Sequence, residues 1–67
     1  MKIILNNNNE EFPGDSLTIS EIMEIKKFTF KMLVVKLNDK IVRKENYTNS
    51  FVKDGDNLVI LHLISGG

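Results

Sequence analysis

The segment Leu17-Thr18-Ile19-Ser20-Glu21-Ile22-Met23 carries a complete helix start, and the stretches on either side of it read as strands. Thr18 can accept from a backbone amide three residues on, Glu21 can return the bond to the Thr18 amide, and Leu17 can pack on Ile22 as a hydrophobic staple. The spacing predicts a helix over 19–27. Ile19, Ile22 and Met23 recur at i, i+3, i+4 and face a core, while Ser20, Glu21, Glu24 and Lys27 face water. Lys26 falls where the apolar stripe would continue, which suits an aliphatic stem lying over the core edge with its ammonium in water.

Before the helix, Lys2-Ile3-Ile4-Leu5 is a short β-branched strand running into Asn6 to Asn9, residues that favour turns and tolerate left-handed backbone. A second strand at about Glu10 to Phe12 pairs back on the first, and Pro13-Gly14 ends it. After the helix, Met32 to Leu37 and Ile41-Val42 flank the turn pair Asn38-Asp39, a second hairpin. Alternation sets Leu33, Val35 and Leu37 on one face and Val34 and Lys36 on the other. A polar, irregular stretch from Lys44 to Ser50 surrounds Tyr47 and leads to Phe51-Val52. Lys53-Asp54-Gly55-Asp56 is a further turn, and Leu58 to Ile64 is the last strand.

The apolar strands at the two ends belong in the middle of a sheet, paired parallel. That pairing requires a crossover connection, which the helix provides. The expected fold is α+β: a β-grasp, ubiquitin-like roll with a mixed four- to five-stranded sheet and one helix packed on one face. A chain of 67 residues makes one domain with a small core, here residues 1–64, leaving 65–67 as a flexible tail. With no Cys and one His, neither a disulfide framework nor a Cys-type zinc site can reinforce it. Packing must suffice.

Composition narrows function. Nine basic against nine acidic residues give zero formal charge, which argues against a nucleic-acid binder relying on bulk electrostatics. The longest apolar run, Leu58 to Ile64, is interrupted by His62 and far short of the ~20 residues of a membrane span. No secretory leader is visible, so a cytoplasmic protein is expected. No phosphate loop, metal-ligand spacing or nucleophile–base pair appears, and no bound cofactor or metal is expected. His62 lies within an apolar strand and reads as a structural or rim residue. Asp54 and Asp56 flank a glycine in a tight turn, where carboxylates satisfy local amides.

The carboxyl end, Ile64-Ser65-Gly66-Gly67, has no explanation in folding. A tail without Cβ atoms can thread a narrow channel, and a terminal glycine presents its carboxylate with no side chain hindering attack at the carbonyl carbon. Activated as an acyl-adenylate, such a carboxylate can accept sulfur or an amine. The last strand adds a second feature. If Leu58 and Ile60 face the core, Val59, Leu61 and Leu63 face away from the helix, and Ile4 and Val34 can extend the row into an apolar patch directly upstream of the tail. Its expected use is partner binding.

Across essentially its whole length the chain resembles the ThiS family of sulfur carrier proteins of thiamine (thiazole) biosynthesis. The matching features are Ile3-x-Leu5-Asn6, Thr18-Ile19-x-Glu21-Ile22-Met23, Val35-x-Leu37-Asn38-x-x-Ile41-Val42, Tyr47, Asp54-Gly55-Asp56, Leu58-x-Ile60-x-His62 and Gly66-Gly67. It departs from the family pattern at Asp39, where Gly is usual, at Arg43 for Pro, at Tyr47 for Trp and at Ser65 for a third Gly. The resemblance implies a carrier and co-substrate, not an enzyme. Gly67 would be adenylated by a ThiF-like adenylyltransferase using ATP and magnesium. It would then be converted to a thiocarboxylate with sulfur from a persulfide-bearing protein, and would donate that sulfur to a ThiG-like thiazole synthase. Sulfur carriage to a molybdopterin precursor or to tRNA, and a ubiquitin-like module without covalent chemistry, are the competing readings.

Overall fold

In the computed structural model, which describes residues 1–28 and 33–63, the elements run β1 (Lys2–Leu5), β2 (Asn8–Glu11), β3 (Ser16–Thr18), α1 (Ile19–Lys26), β4 (Leu33–Leu37), β5 (Lys40–Val42), a 3₁₀ turn at Lys44–Asn46, β6 (Phe51–Lys53) and β7 (Asn57–His62). The main sheet is five-stranded in the order β2-β1-β7-β4-β5. β7 pairs parallel with β1 and antiparallel with β4, so the two terminal strands are neighbours and the helix supplies the crossover. This is the expected mixed sheet of a β-grasp fold.

The helix begins as its sequence dictates. Thr18 has extended backbone, its hydroxyl accepts from the Glu21 amide at 3.1 Å, and the Glu21 carboxylate accepts from the Thr18 amide at 2.8 Å. The next two amides, of Ile19 and Ser20, donate to the carbonyls of Ser50 and Tyr47, so the irregular segment after β5 completes the helix start. The other end closes in a Schellman motif: Lys27 is left-handed at φ 59° and the Phe28 amide donates to the Met23 carbonyl. The Lys26 ammonium is not simply in water as expected; it pairs with Glu10 on β2 at 3.0 Å and ties the helix to the sheet edge.

Ile19 and Ile22 of the helix meet Ile3, Leu5, Val35, Leu58 and Ile60 of the sheet, with Phe12 and Val52 closing the sides. Tyr47 packs against this cluster, and its partial burial raises the phenol above its ordinary pKa, leaving it neutral at physiological pH.

Three expectations are corrected. The Asn run is not a four-residue turn: only Asn6 and Asn7 are left-handed, at φ 51° and 69°, and Asn8 and Asn9 already belong to β2, which precedes Phe12. Two left-handed residues are what a type I′ hairpin turn needs, and polar residues suit an edge strand. Ser16–Thr18 forms a strand that sequence reasoning did not separate from the helix start, and it pairs with β6 in a small second sheet, away from the main one. The strand expected over Leu58 to Ile64 begins at Asn57 and is seen to His62; Ile64 lies outside the described residues, as does Met32.

The two main hairpin turns have the same backbone, Asn38 and Asp39 repeating φ 51° and 69°. Their first residues share a second task. The Asn6 carboxamide donates to the Ile60 carbonyl at 3.0 Å and accepts from the Ile60 amide at 2.8 Å, while Asn38 accepts from the Asn57 amide at 2.9 Å. Each thus grips β7, one near its end and one at its start. Asn7 makes no side-chain hydrogen bond among the described residues. Asn6→Gly and Asn7→Gly therefore have opposite expected signs in denaturant unfolding. Asn7→Gly relieves left-handed strain and stabilises by up to about 1 kcal/mol. Asn6→Gly leaves the buried Ile60 amide and carbonyl without partners and destabilises by about 2 kcal/mol.

Candidate functional site

The residues expected to carry function fall into two groups, the outward face of the main sheet and the tail. Ser65, Gly66 and Gly67, and with them the boundary between domain and tail, lie outside the described residues. The face is well defined. In β7, Leu58 and Ile60 are buried, Val59 is half-buried and Leu61 is 50% exposed; Leu63, just past the strand, is 44% exposed. Val34 on β4 sits directly across from Leu61. Ile4 on β1, 40% exposed, points the same way, offset by two residues from Val59, since it is in register with Asn57. The structure therefore brings Ile4, Val34, Val59 and Leu61 onto one face, opposite the helix, with Leu63 at its end.

Sequence reasoning missed one member of this face. Ile41 on β5 is 71% exposed and lies across from Lys36, whose other neighbour is Val59. The signal was available: once the Asn38-Asp39 turn fixes the register and Val42 turns inward, Ile41 must turn outward. A large aliphatic side chain so open to water contributes nothing to the core.

The central strand is held in place by polar contacts outside the regular ladder. Asp54 accepts from the Lys2 amide at 2.6 Å, and the Gly55 amide donates to the Lys2 carbonyl at 2.7 Å. Ile4 and Asn6 amides then donate to the carbonyls of Asp56 and Leu58, both at 3.0 Å, and the Asn6 side chain adds its pair to Ile60. β1 is thus zipped to the last segment of the chain from Lys2 to Asn6. Asp56 accepts from the Lys53 amide at 2.8 Å and from the Asn38 carboxamide at 3.1 Å. Both carboxylates of the Asp54-Gly55-Asp56 turn are therefore spent on organising the approach to β7.

His62 is exposed at the end of β7, in register with Leu33. Among the described residues no three His, Asp or Glu side chains gather as metal ligands. A surface hollow bordered by Lys2, Asn9, Glu10 and Glu11 lies on the β1–β2 side of the sheet. No helix among the described residues is long and apolar enough to cross a membrane.

What the arrangement offers is an apolar surface presented by the central strands of the sheet. The fold is shared with known proteins. The crystal structure of the thiamine biosynthesis protein (ThiS) from Geobacter metallireducens superposes with a TM-score of 0.87 at 28% identity, over 100% of both chains. The solution structure of a thiamine biosynthesis protein from the same organism gives a TM-score of 0.79 at 28% identity, covering 100% of this chain and 88% of that one. No curated protein sequence matches the chain. The ThiS family model, however, matches residues 3–67, from the first strand through the terminal glycines, and the chain belongs to the ThiS family.

Proposed function

We propose that this protein is a sulfur carrier for thiazole formation in thiamine biosynthesis, acting through the carboxylate of Gly67. The observation that carries the reading is the family match running to residue 67, on a domain whose last described strand lies in the centre of the sheet. A ThiF-like adenylyltransferase, using ATP and magnesium, joins the carboxylate to AMP and releases pyrophosphate. The sulfur of a protein persulfide then attacks the acyl carbon and AMP leaves; cleavage of the resulting S–S bond by a thiol gives the thiocarboxylate. A ThiG-like thiazole synthase takes that sulfur. The chain is a co-substrate in each step and supplies no acid, base or metal of its own. All of this chemistry belongs in the cytoplasm.

The domain's contribution is recognition. Gly66 and Ser65 give the tail a narrow profile, with only one hydroxymethyl side chain among the last three residues. The face built from Val59, Leu61, Leu63, Ile4 and Val34 is where the activating enzyme and the synthase grip the domain, because burying it on a partner removes apolar surface from water that folding leaves exposed.

Two outcomes are expected. Incubated with its adenylyltransferase, ATP, magnesium and a sulfur donor, the intact protein becomes about 16 Da heavier by mass spectrometry, one oxygen having been replaced by sulfur. Deleting Gly67, or adding one residue after it, abolishes the gain while circular dichroism remains that of the intact domain; persistence of the gain would overturn the assignment. Leu61→Asp, at a half-exposed position, keeps the fold and weakens adenylyltransferase binding by at least about tenfold, since a carboxylate would have to be desolvated within the contact. Loss of the folded state in that variant would show instead that Leu61 serves the core.

A further inference from the structure

The apolar face has one charge at its centre. Alternation along β4 turns Lys36 outward beside Val34, and the ladder sets it across from Val59 on one side and Ile41 on the other. Two positions along the strand in either direction stand Val34 and Asn38. No acidic residue is therefore in register with Lys36. The contrast with Lys2 on the same face is plain: it lies directly across from Glu11. The ion pair found among the described residues, Lys26 with Glu10, is on the helix side of the sheet. Lys36 is exposed, and its ammonium is solvated in the free protein.

Docking changes that balance. A partner covering Val34, Val59, Leu61 and Ile41 must also cover the aliphatic stem of Lys36 and strip water from its charged end. An ammonium taken from water without a counter-charge costs several kcal/mol, comparable with what burying one or two exposed aliphatic side chains returns. An entirely apolar partner surface would forfeit much of its gain at this one position.

We propose that the adenylyltransferase surface fitting this face is an apolar patch with a single Asp or Glu carboxylate set opposite Lys36, and that this pair fixes the register of the contact. The inference rests on the reading that this face grips the adenylyltransferase. The aliphatic residues supply the contact area, and the ammonium–carboxylate pair fixes its register, rejecting an otherwise similar apolar surface that lacks the carboxylate. Because Lys36 is exposed in the free domain, its replacement does not disturb folding.

The test is titration calorimetry of the full chain against its ThiF-like adenylyltransferase, with wild type, Lys36→Met, Lys36→Glu and Leu61→Asp, each confirmed folded by its thermal transition. Lys36→Met retains the stem and is expected to bind about tenfold to a hundredfold more weakly, because the partner's carboxylate is left buried and unpaired; Lys36→Glu is expected to be weaker still. Wild-type affinity falls as salt is raised from about 0.05 M to about 0.5 M, and Lys36→Met loses most of that dependence. Lys36→Met binding as tightly as wild type, with Leu61→Asp impaired, would overturn the charge pairing alone: the ammonium then snorkels past Ile41 to the rim. Unimpaired binding by both Lys36→Met and Leu61→Asp would overturn the docking face itself, and this inference with it.

Discussion

The structure depends on a single strand having two kinds of neighbour. β7 is paired antiparallel to β4, from which β5, the 3₁₀ turn and β6 separate it in the chain, and parallel to β1, which requires a crossover. A parallel contact between the first and last strands separates the paired residues by most of the chain, so its closure has a large entropic cost. The ladder contact with β1 is short, with Ile4 and Leu5 as its registered residues, and side chains lengthen it at both ends. Asp54 holds the Lys2 amide below the ladder and Asn6 holds both polar groups of Ile60 above it. Without them the strand carrying the tail would be anchored mainly from the β4 side.

These contacts also compensate for size. Among the described residues nine side chains form the buried core, and the chain has no cysteine with which to reinforce them. A core so small tolerates few unsatisfied groups, and no buried side-chain nitrogen or oxygen lacks a partner among the described residues. The helix shows the same economy. Its first amides are met by Thr18, by Ser50 and by Tyr47, so one short helix both closes the core and fixes the irregular segment after β5.

Much of this was legible in the sequence because the signals were local. The capping box, the Asn38-Asp39 turn and the alternation in Leu58 to Ile60 each specify structure within a few residues, and the crossover follows from where the apolar strands lie. What was missed depended on strand pairing rather than on residue type, in one case with a partner distant in sequence. Nothing within Ser16–Thr18 announces a strand; its pairing partner is Phe51–Lys53, and the contact exists only once the core has formed. Asn8 and Asn9 read as turn residues, yet the hairpin needs only Asn6 and Asn7 to reverse, and the register with Leu5 and Ile4 draws the next two into β2. Ile41 shows the same limit from the other side. Its residue type suggests a core, and only the register across Lys36 and Val35 turns it outward while Val42 turns in.

The pleat of β7 gives one strand two separable roles. Its inward residues, Leu58 and Ile60, hold the fold; its outward residues, Val59 and Leu61, form the face. A slip of one residue would exchange the two sets, exposing the core residues and burying the face. The clamps at Asn6 and Asn38 oppose such a slip, since each bonds backbone of a particular residue, Ile60 and Asn57. Register therefore decides which residues the sheet presents as well as which it buries. On the proposed reading, a surface that grips Val59 and Leu61 is positioned by that same register.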